Sequence, residues 1–333
     1  MMDRRMMVTR ARILANIRDF FRGREYLEVD TPILTPGLIP ESTIESFKTE
    51  FVNPFASRRS LFMVPSPEIW MKRLVAQGAG NIFQIEHVFR NAESIGSQHS
   101  PEFTMLEWYT LNATYEDSIE IVEALVRTLV ELELAELQTA GEPHLSRLLP
   151  PFVRLSMADA FRIHARIALE DFEDSEDLAE EARKLGLTPR HGDSWQDLFN
   201  RIFLTFVEPN IARERPVVLT DFPRQISTLA RPIPGTPWSE RWELYLEGRE
   251  TANCYTEETD PDAVVDFFAA EAARKRDSLV GIQVDDSFPE LFGDGFPAFS
   301  GVALGVDRLI MALTGVPDIQ GVIFFPIHDT LRP

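Results

Sequence analysis

The stretch Asn81 to Tyr109, NIFQIEHVFRNAESIGSQHSPEFTMLEWY, constrains the fold of this chain more than any other. Read as strands, Ile82, Gln84, Glu86, Val88 and Arg90 fall on one face by period-two alternation. A loop follows with Asn91, Gly96, Ser97, Ser100 and Pro101, residues that favour turns. Beyond it Phe103, Met105, Glu107 and Tyr109 share a face, while Thr104, Leu106 and Trp108 take the other. The pattern predicts two antiparallel strands. An arginine, an aromatic ring, an acid and a tyrosine on one sheet surface describe a ligand floor; an amphipathic hairpin with a wet polar face fits the same alternation.

Such a hairpin needs a large fold around it, and 333 residues can bury a core in one large domain or two. Hydrophobic content of 44% places the chain among globular proteins and not disordered ones. A formal charge of -20 repels phosphate backbones at long range and argues against non-specific nucleic-acid binding. The single cysteine, Cys254, excludes an internal disulfide and a thiolate-cluster zinc site. No apolar run is long enough for a membrane helix. The basic start, MMDRRMMVTRAR, lacks an apolar signal core, so the expectation is a cytosolic protein.

Along the chain, Ile13, Leu14, Ile17, Phe20 and Phe21 recur at helical spacing from about Thr9, and Gly23 closes that helix. Tyr26 to Leu34 reads as extended, with Pro32 confining it to an edge. Residues 35–60 read as loop with a short strand near Phe47 to Phe51, and Ser66-Pro67-Glu68 opens a helix through Gln77. Tyr115 to Leu137 is a long acidic helix, and His144 to Val153 reads as linker. Short helices near 156–168, 175–186 and 194–206 carry no motif tied to chemistry. Residues 110–240 are therefore expected to form a helical insertion or packing layer, leading to strands at Val217 to Thr220 and Arg241 to Leu246.

Two further clusters carry chemistry. In RWELYLEGRETANCYTEETD a tight turn at Glu247-Gly248 would set Tyr245 opposite Glu250 and Glu243 opposite Ala252. Glu243 and Glu250 would then sit diagonally on one face, roughly 7–8 Å apart. Carboxylates that close are costly without a cation between them, and magnesium prefers such ligands; two solvated acids on a strand are the plainer alternative. Asn253 and Glu257 break the same alternation, so bringing them to that face requires a bulge. In SGVALGVDRLIMAL, Gly301, Ala303 and Gly305 permit close backbone approach, and Arg308 falls in the first helical turn, a good place to clamp polyphosphate. Neither a GxxxxGK[ST] loop nor a GxGxxG fingerprint is present. His99 could serve as base or ligand, but its loop setting suits a polar contact.

Together these stretches resemble the three motifs of a class II aminoacyl-tRNA synthetase of the lysine subgroup. FRNAE and HSPEFTMLEWY are similar to motif two, GVALGVDRLIM to motif three, and YLEVDTPIL with Pro32 to motif one. The resemblance runs from about residue 10 to 325 and implies an α+β catalytic domain, a mostly antiparallel sheet flanked by helices, paired as a homodimer through motif one. It further implies that ATP is held by Arg90, Glu93, His99, Phe103, Glu243, Glu250, Gly305 and Arg308. Arg90 would hold the α-phosphate, Phe103 would stack on adenine, Arg308 would clamp the γ-phosphate, and Glu243 and Glu250 would coordinate Mg2+. Ser66, Glu68, Glu107, Tyr109, Ala252, Asn253 and Glu257 would line the amino-acid pocket. Glu107 and Glu257 suit it because an ammonium taken out of water needs carboxylate partners.

Few residues precede the first helix, so no anticodon-binding OB domain is expected. That layout resembles the branch of the family that transfers lysine or (R)-β-lysine to a lysine of elongation factor P, and Ala252 agrees with that branch. The acceptor implied is a protein and not tRNA. A lysine-adenylating enzyme with another acceptor and a catalytically silent binding paralogue are the alternatives; Arg90, Glu250 and Arg308 being present together argues against the second. Two departures stand out. The motif-two loop is one residue longer, leaving Ala92 where an acid belongs and requiring Glu93 to shift. Cys254, Tyr255, Thr256 and Glu258 replace the Gly-Phe-(Ser or His)-Leu pattern, and cysteine for glycine removes backbone freedom beside the pocket.

Overall fold

The computed structural model describes residues 3–137, 143–293 and 295–330. Within them the hairpin strands β5 (Ile82–Phe89) and β6 (Glu102–Leu111) pair antiparallel, after the short β1 (Leu27–Glu28), β2 (Leu34–Thr35), β3 (Lys48–Phe51) and β4 (Arg59–Met63). Further on come β7 (Val153–Ser156), β8 (Val217–Pro223), β9 (Trp238–Leu246), β10 (Arg249–Thr256) and β11 (Phe299–Gly305). The main sheet has the order β1-β5-β6-β11-β10-β9-β8-β7, and β2-β4-β3 form a small second sheet. Only the edge pairs β1/β5 and β7/β8 are parallel, so the sheet is mostly antiparallel.

Alternation divides the hairpin between two environments. Leu106, Trp108 and Phe83 enter the main hydrophobic core, packed against the helices Arg4–Arg22, Tyr115–Glu136 and Val306–Thr314. Ile82 and Tyr109 face the other way, into a smaller cluster with Met71, Val75 and Phe299. The first helix gains its stop from Gly23, whose N–H donates to the carbonyls of Asp19 and Phe21. Thr114 and Asp117 cap the long acidic helix reciprocally.

Two expectations change here. The segment read as linker ends in β7, which extends the sheet by pairing Val153 with Val217. Its four residues follow Pro150 and Pro151, too short a run for alternation to register. Likewise part of the loop expected at 35–60 is β2 and β4, which join the strand expected near Phe51 in the small sheet, with β4 at its centre.

The segment from β7 to β9 builds its own core. Trp195, Phe199, Phe203 and Phe161 stack with ring centroids 5.1–6.4 Å apart. The helix Trp195–Ile202 runs on into a π-helical turn, Phe203–Val207, which lies against a second one, Phe161–Ala165.

Candidate active site

The site begins with three residues that have almost no side chain. Gly301, Ala303 and Gly305 project from the central strand β11 toward the face opposite the main core, leaving a trough along the middle of the sheet. On one side stand Tyr109, Glu107 and Met105 of β6, paired with Gly301, Ala303 and Gly305. On the other, Tyr255 and Asn253 of β10 pair with Gly301 and Ala303. A single cross-strand row thus reads Gln84, Glu107, Ala303, Asn253, Glu243. At one strand spacing per step, Glu107 and Glu243 are roughly 14 Å apart, so the trough has two ends.

The turn at Glu247-Gly248 forms, with both residues at positive φ (52° and 74°). Tyr245 opposes Glu250, but Glu243 opposes Asn253 and not Ala252. The expected register fails because a bulge between Glu250 and Ala252 inserts Thr251. That bulge puts Glu250, Asn253, Tyr255 and Glu257 on one face. It sends Ala252 and Cys254 into the main core, so the Ala252 side chain packs there although the residue borders the cavity. Cys254 lies 3.2 Å from the Ser300 hydroxyl, and its φ is not in the left-handed region, so it faces away from the pocket and needs no glycine-like freedom. Burial pushes its thiol up, out of reach of ionisation at neutral pH.

A cavity of about 540 Å³ occupies one end of the trough. Arg90, Glu93, His99, Phe103, Glu243, Glu250, Gly305 and Arg308 all line it, with Glu68 and Asn253. The Arg90 guanidinium lies 5.4 Å from the Phe103 ring, and its Nε is buried with no protein acceptor. Arg308 donates to the Gln98 and Glu250 carbonyls (3.2 and 2.6 Å). Burial and the Arg308 charge lower His99, so the imidazole is neutral at pH 7. The longer motif-two loop kinks at Ala92, φ 56°, and Glu93 reaches the cavity from the next position. Gly305 caps the helix Val306–Thr314 in an extended conformation with room for a Cβ, so close approach belongs to Gly301 and not to Gly305.

Glu243 is nearly buried; it accepts from Arg241 at 2.7 Å and from Tyr245 at 3.0 Å. Burial and the Glu250 carboxylate draw it up to about 7. A carboxylate raised by a neighbouring acid in this way suits a divalent cation shared with substrate phosphates, which needs only one or two protein ligands. No group of three or more metal-ligating side chains occurs among the described residues.

The other end is more enclosed. Glu107, Tyr109 and Glu257 lie behind the cavity wall, each less than 5% exposed. Tyr109 donates to Glu107 Oε1 at 2.5 Å, while Glu107 Oε2 is buried with no partner. Burial, reinforced by Glu68, holds the Glu107 carboxyl well above its usual range. Ser66 stands at the helix entrance and does not line the cavity.

Several contributors escaped the sequence reading. Arg241 bridges Asn253 Oδ1 (3.0 Å) and Glu243, and alternation from Glu243 could have found it. Glu41, on the cavity rim, is drawn up to about 7 by burial and by Glu68. Lys72 is fully buried between Glu68 and Glu257, and its place four residues after Glu68 on the helix Glu68–Ala76 was the available signal. Gln196, Phe199, Asn200 and Phe203 wall the cavity from the segment to which no chemistry was assigned.

The trough thus carries an arginine directly after β5, a second on the helix after β11 and paired acids on β9 and β10. The family described as tRNA synthetases class II (D, K and N) matches residues 2–329, and the chain belongs to it. Within that family it is similar to the elongation factor P--(R)-beta-lysine ligase of Vibrio vulnificus, 34% identical over 95% of this chain and 94% of the relative. The ligase of that name from Haemophilus influenzae is 35% identical over 98% and 96%. The lysine--tRNA ligase of Pseudomonas putida is 34% identical over 95% of this chain, which spans 63% of that protein. No helix among the described residues is long and apolar enough to cross a membrane.

Proposed function

We propose that this chain is an ATP-dependent ligase that activates lysine or (R)-β-lysine as an aminoacyl-adenylate and transfers it to a lysine of elongation factor P. The observation that carries the proposal is the acid cluster at the enclosed end of the trough. Lys72 bonds two of its three acids, Glu68 and Glu257, and the third, Glu107, keeps a buried oxygen without a partner. Burial holds Glu107 and Glu257 above their usual range, so cationic ligand groups that displace their protons gain buried counter-charges there, and a diamino acid supplies two such groups. The names of the two relatives covered over most of their length agree with the acceptor.

In the first step a substrate carboxylate oxygen attacks the α-phosphorus of ATP in line. A P–O bond forms, the bond to the bridging oxygen breaks, and pyrophosphate leaves. Arg90, with its unpartnered Nε, would hold the α-phosphate; Arg308 would hold the γ-phosphate. Phe103 offers its ring to the base. Mg2+ held by Glu243 and Glu250 would neutralise charge on the phosphates when bound. In the second step the neutral amine of the acceptor lysine attacks the acyl carbon, AMP leaves with the electrons of the C–O bond, and the nitrogen gives one proton to the departing phosphate or to water as the amide forms.

Charging of tRNA is the second proposal, favoured by the equal identity to the Pseudomonas lysine--tRNA ligase. The net charge of -20 opposes attraction to an RNA backbone. We also propose that two copies pair through residues 26–34. Leu27, Ile33 and Leu34 are 55%, 41% and 40% exposed there, and Thr31 Oγ1 and Glu86 Oε2 are buried without protein partners. A monomer by light scattering at micromolar concentration would remove that part of the account. Lysine-dependent exchange of pyrophosphate into ATP tests the adenylation step, and exchange that ignores lysine and β-lysine would reject it.

A further inference from the structure

Lys72 is the most deeply buried cation among the described residues, with no exposed side-chain surface. Its Nζ donates to Glu68 Oε1 at 2.6 Å and to Glu257 Oε2 at 2.7 Å. The Tyr255 ring lies 5.8 Å below it. These contacts join the helix Glu68–Ala76 to the residue following β10, at the wall of the enclosed pocket. Lys72 thus meets two acids and sits beside a third, Glu107, one oxygen of which has no partner.

We propose that Lys72 is a positioning and specificity residue for the amino-acid substrate: it holds Glu68 and Glu257 in place and leaves one oxygen of each to meet the ammonium groups of a diamino acid. The inference rests on the function proposed above and deepens it. Each clamped carboxylate has one oxygen committed to Lys72 and one left over; Glu257 Oε1 points at Gly301, where a Cβ would come within 2.8 Å of it. Glu107 Oε2 is the third free oxygen. The charged and titratable groups facing this cluster are Glu41, Glu258, Tyr109 and Tyr255, with Arg90 and Lys275 acting on Glu41. Even with Lys72 present, burial pushes Glu257 up to about 8, against the pull of the ammonium. Removing that ammonium would drive protons onto the acids, and a diamino substrate would then have to displace them.

The test is Lys72→Met, which keeps an unbranched chain of similar length, assayed by lysine-dependent ATP–pyrophosphate exchange beside Lys72→Arg and wild type. The Michaelis constant for lysine should rise by about tenfold at neutral pH, the equivalent of one pKa unit of lost counter-charge, while that for ATP stays within about twofold. Wild-type lysine affinity should strengthen as pH rises through about 8, and the variant's should do so only at higher pH, because Glu257 has lost the ammonium that lowers it. Lys72→Arg should restore most of the lysine affinity and the wild-type profile. Should Lys72→Met fail to fold, Lys72→Gln carries the same comparison, since its amide can donate to one acid without charge. A folded, uncharged variant with wild-type lysine affinity and pH profile would overturn the proposal. So would a parallel loss for ATP, or failure of both uncharged variants to fold, either of which makes Lys72 a structural residue. If wild type itself shows no lysine-dependent exchange, the proposed function fails instead, and the two failures are told apart.

Discussion

Replacing Gly301 by alanine tests the trough directly. A Cβ at this position would lie 2.8 Å from Glu257 Oε1 and 3.1–3.2 Å from Tyr109 ring carbons. Comfortable contact needs roughly half an ångström more on each side. Tyr109 cannot give easily, because its ring is packed 4.9 Å from Phe299 in a closed cluster. Glu257 must therefore move, and its other oxygen is held by Lys72 at 2.7 Å. Overpacking of this kind costs about 1–3 kcal/mol. If that cost falls on the carboxylate that would receive the substrate ammonium, lysine affinity drops by about 5- to 150-fold. The end of the cavity lined by Arg90 and Arg308 should not feel it. Steady-state exchange assays with lysine and ATP varied in turn would read the split, and a thermal melt would follow the fold. A Gly301→Ala enzyme that stays folded and binds lysine normally, or loses ATP and lysine affinity alike, would refute this account of the pocket.

Three further outcomes are expected. Arg308→Ala should lower the exchange rate by about 10²–10³, the usual cost of one preorganised cation at developing charge, and full activity would remove Arg308 from the phosphate site. Glu243 is drawn up to about 7 from an ordinary 4.5, so its contribution to stability is complete below 4.5 and is lost as pH rises through about 7. Mg2+ competes with that proton, so its apparent affinity for the ATP-bound enzyme should strengthen from about pH 6 to pH 8; a magnesium titration with no pH dependence would contradict the placement. Arg10 and Asp307 form a buried ion pair at 2.5 Å that also holds the Thr104 N–H and hydroxyl, tying the helix after β11 to β6. Arg10→Met should destabilise by about 3–5 kcal/mol in denaturant unfolding, and a change under 1 kcal/mol would show the pair to be dispensable.

How much of this was legible depended on how local the determinant is. The hairpin face was readable because side chains alternate along each strand, and the register pairs Gln84 with Glu107 and Val88 with Phe103 as alternation requires. The partner of Glu243 was misread by one residue, because nothing in ETAN marks Thr251 as the extra residue of a bulge. The same bulge reconciles Asn253 and Glu257 with one face, a conflict the alternation did expose. Lys72 drew no reading, because its i,i+4 spacing from Glu68 is that of an ordinary surface pair and its other partner, Glu257, lies 185 residues away. Gln196 and Asn200 could not be found at all, since they reach the cavity only through the aromatic stacking that fixes their helix.

The central claim concerns where the activated amino acid goes. Pure enzyme, ATP, Mg2+ and either lysine or (R)-β-lysine should be incubated with elongation factor P and, separately, with total tRNA. The intact mass of the factor and the label on the RNA are then read side by side. The account predicts that elongation factor P gains the mass of one lysyl or β-lysyl residue, dependent on ATP, while tRNA stays essentially uncharged. Efficient charging of tRNA with the factor's mass unchanged would contradict it.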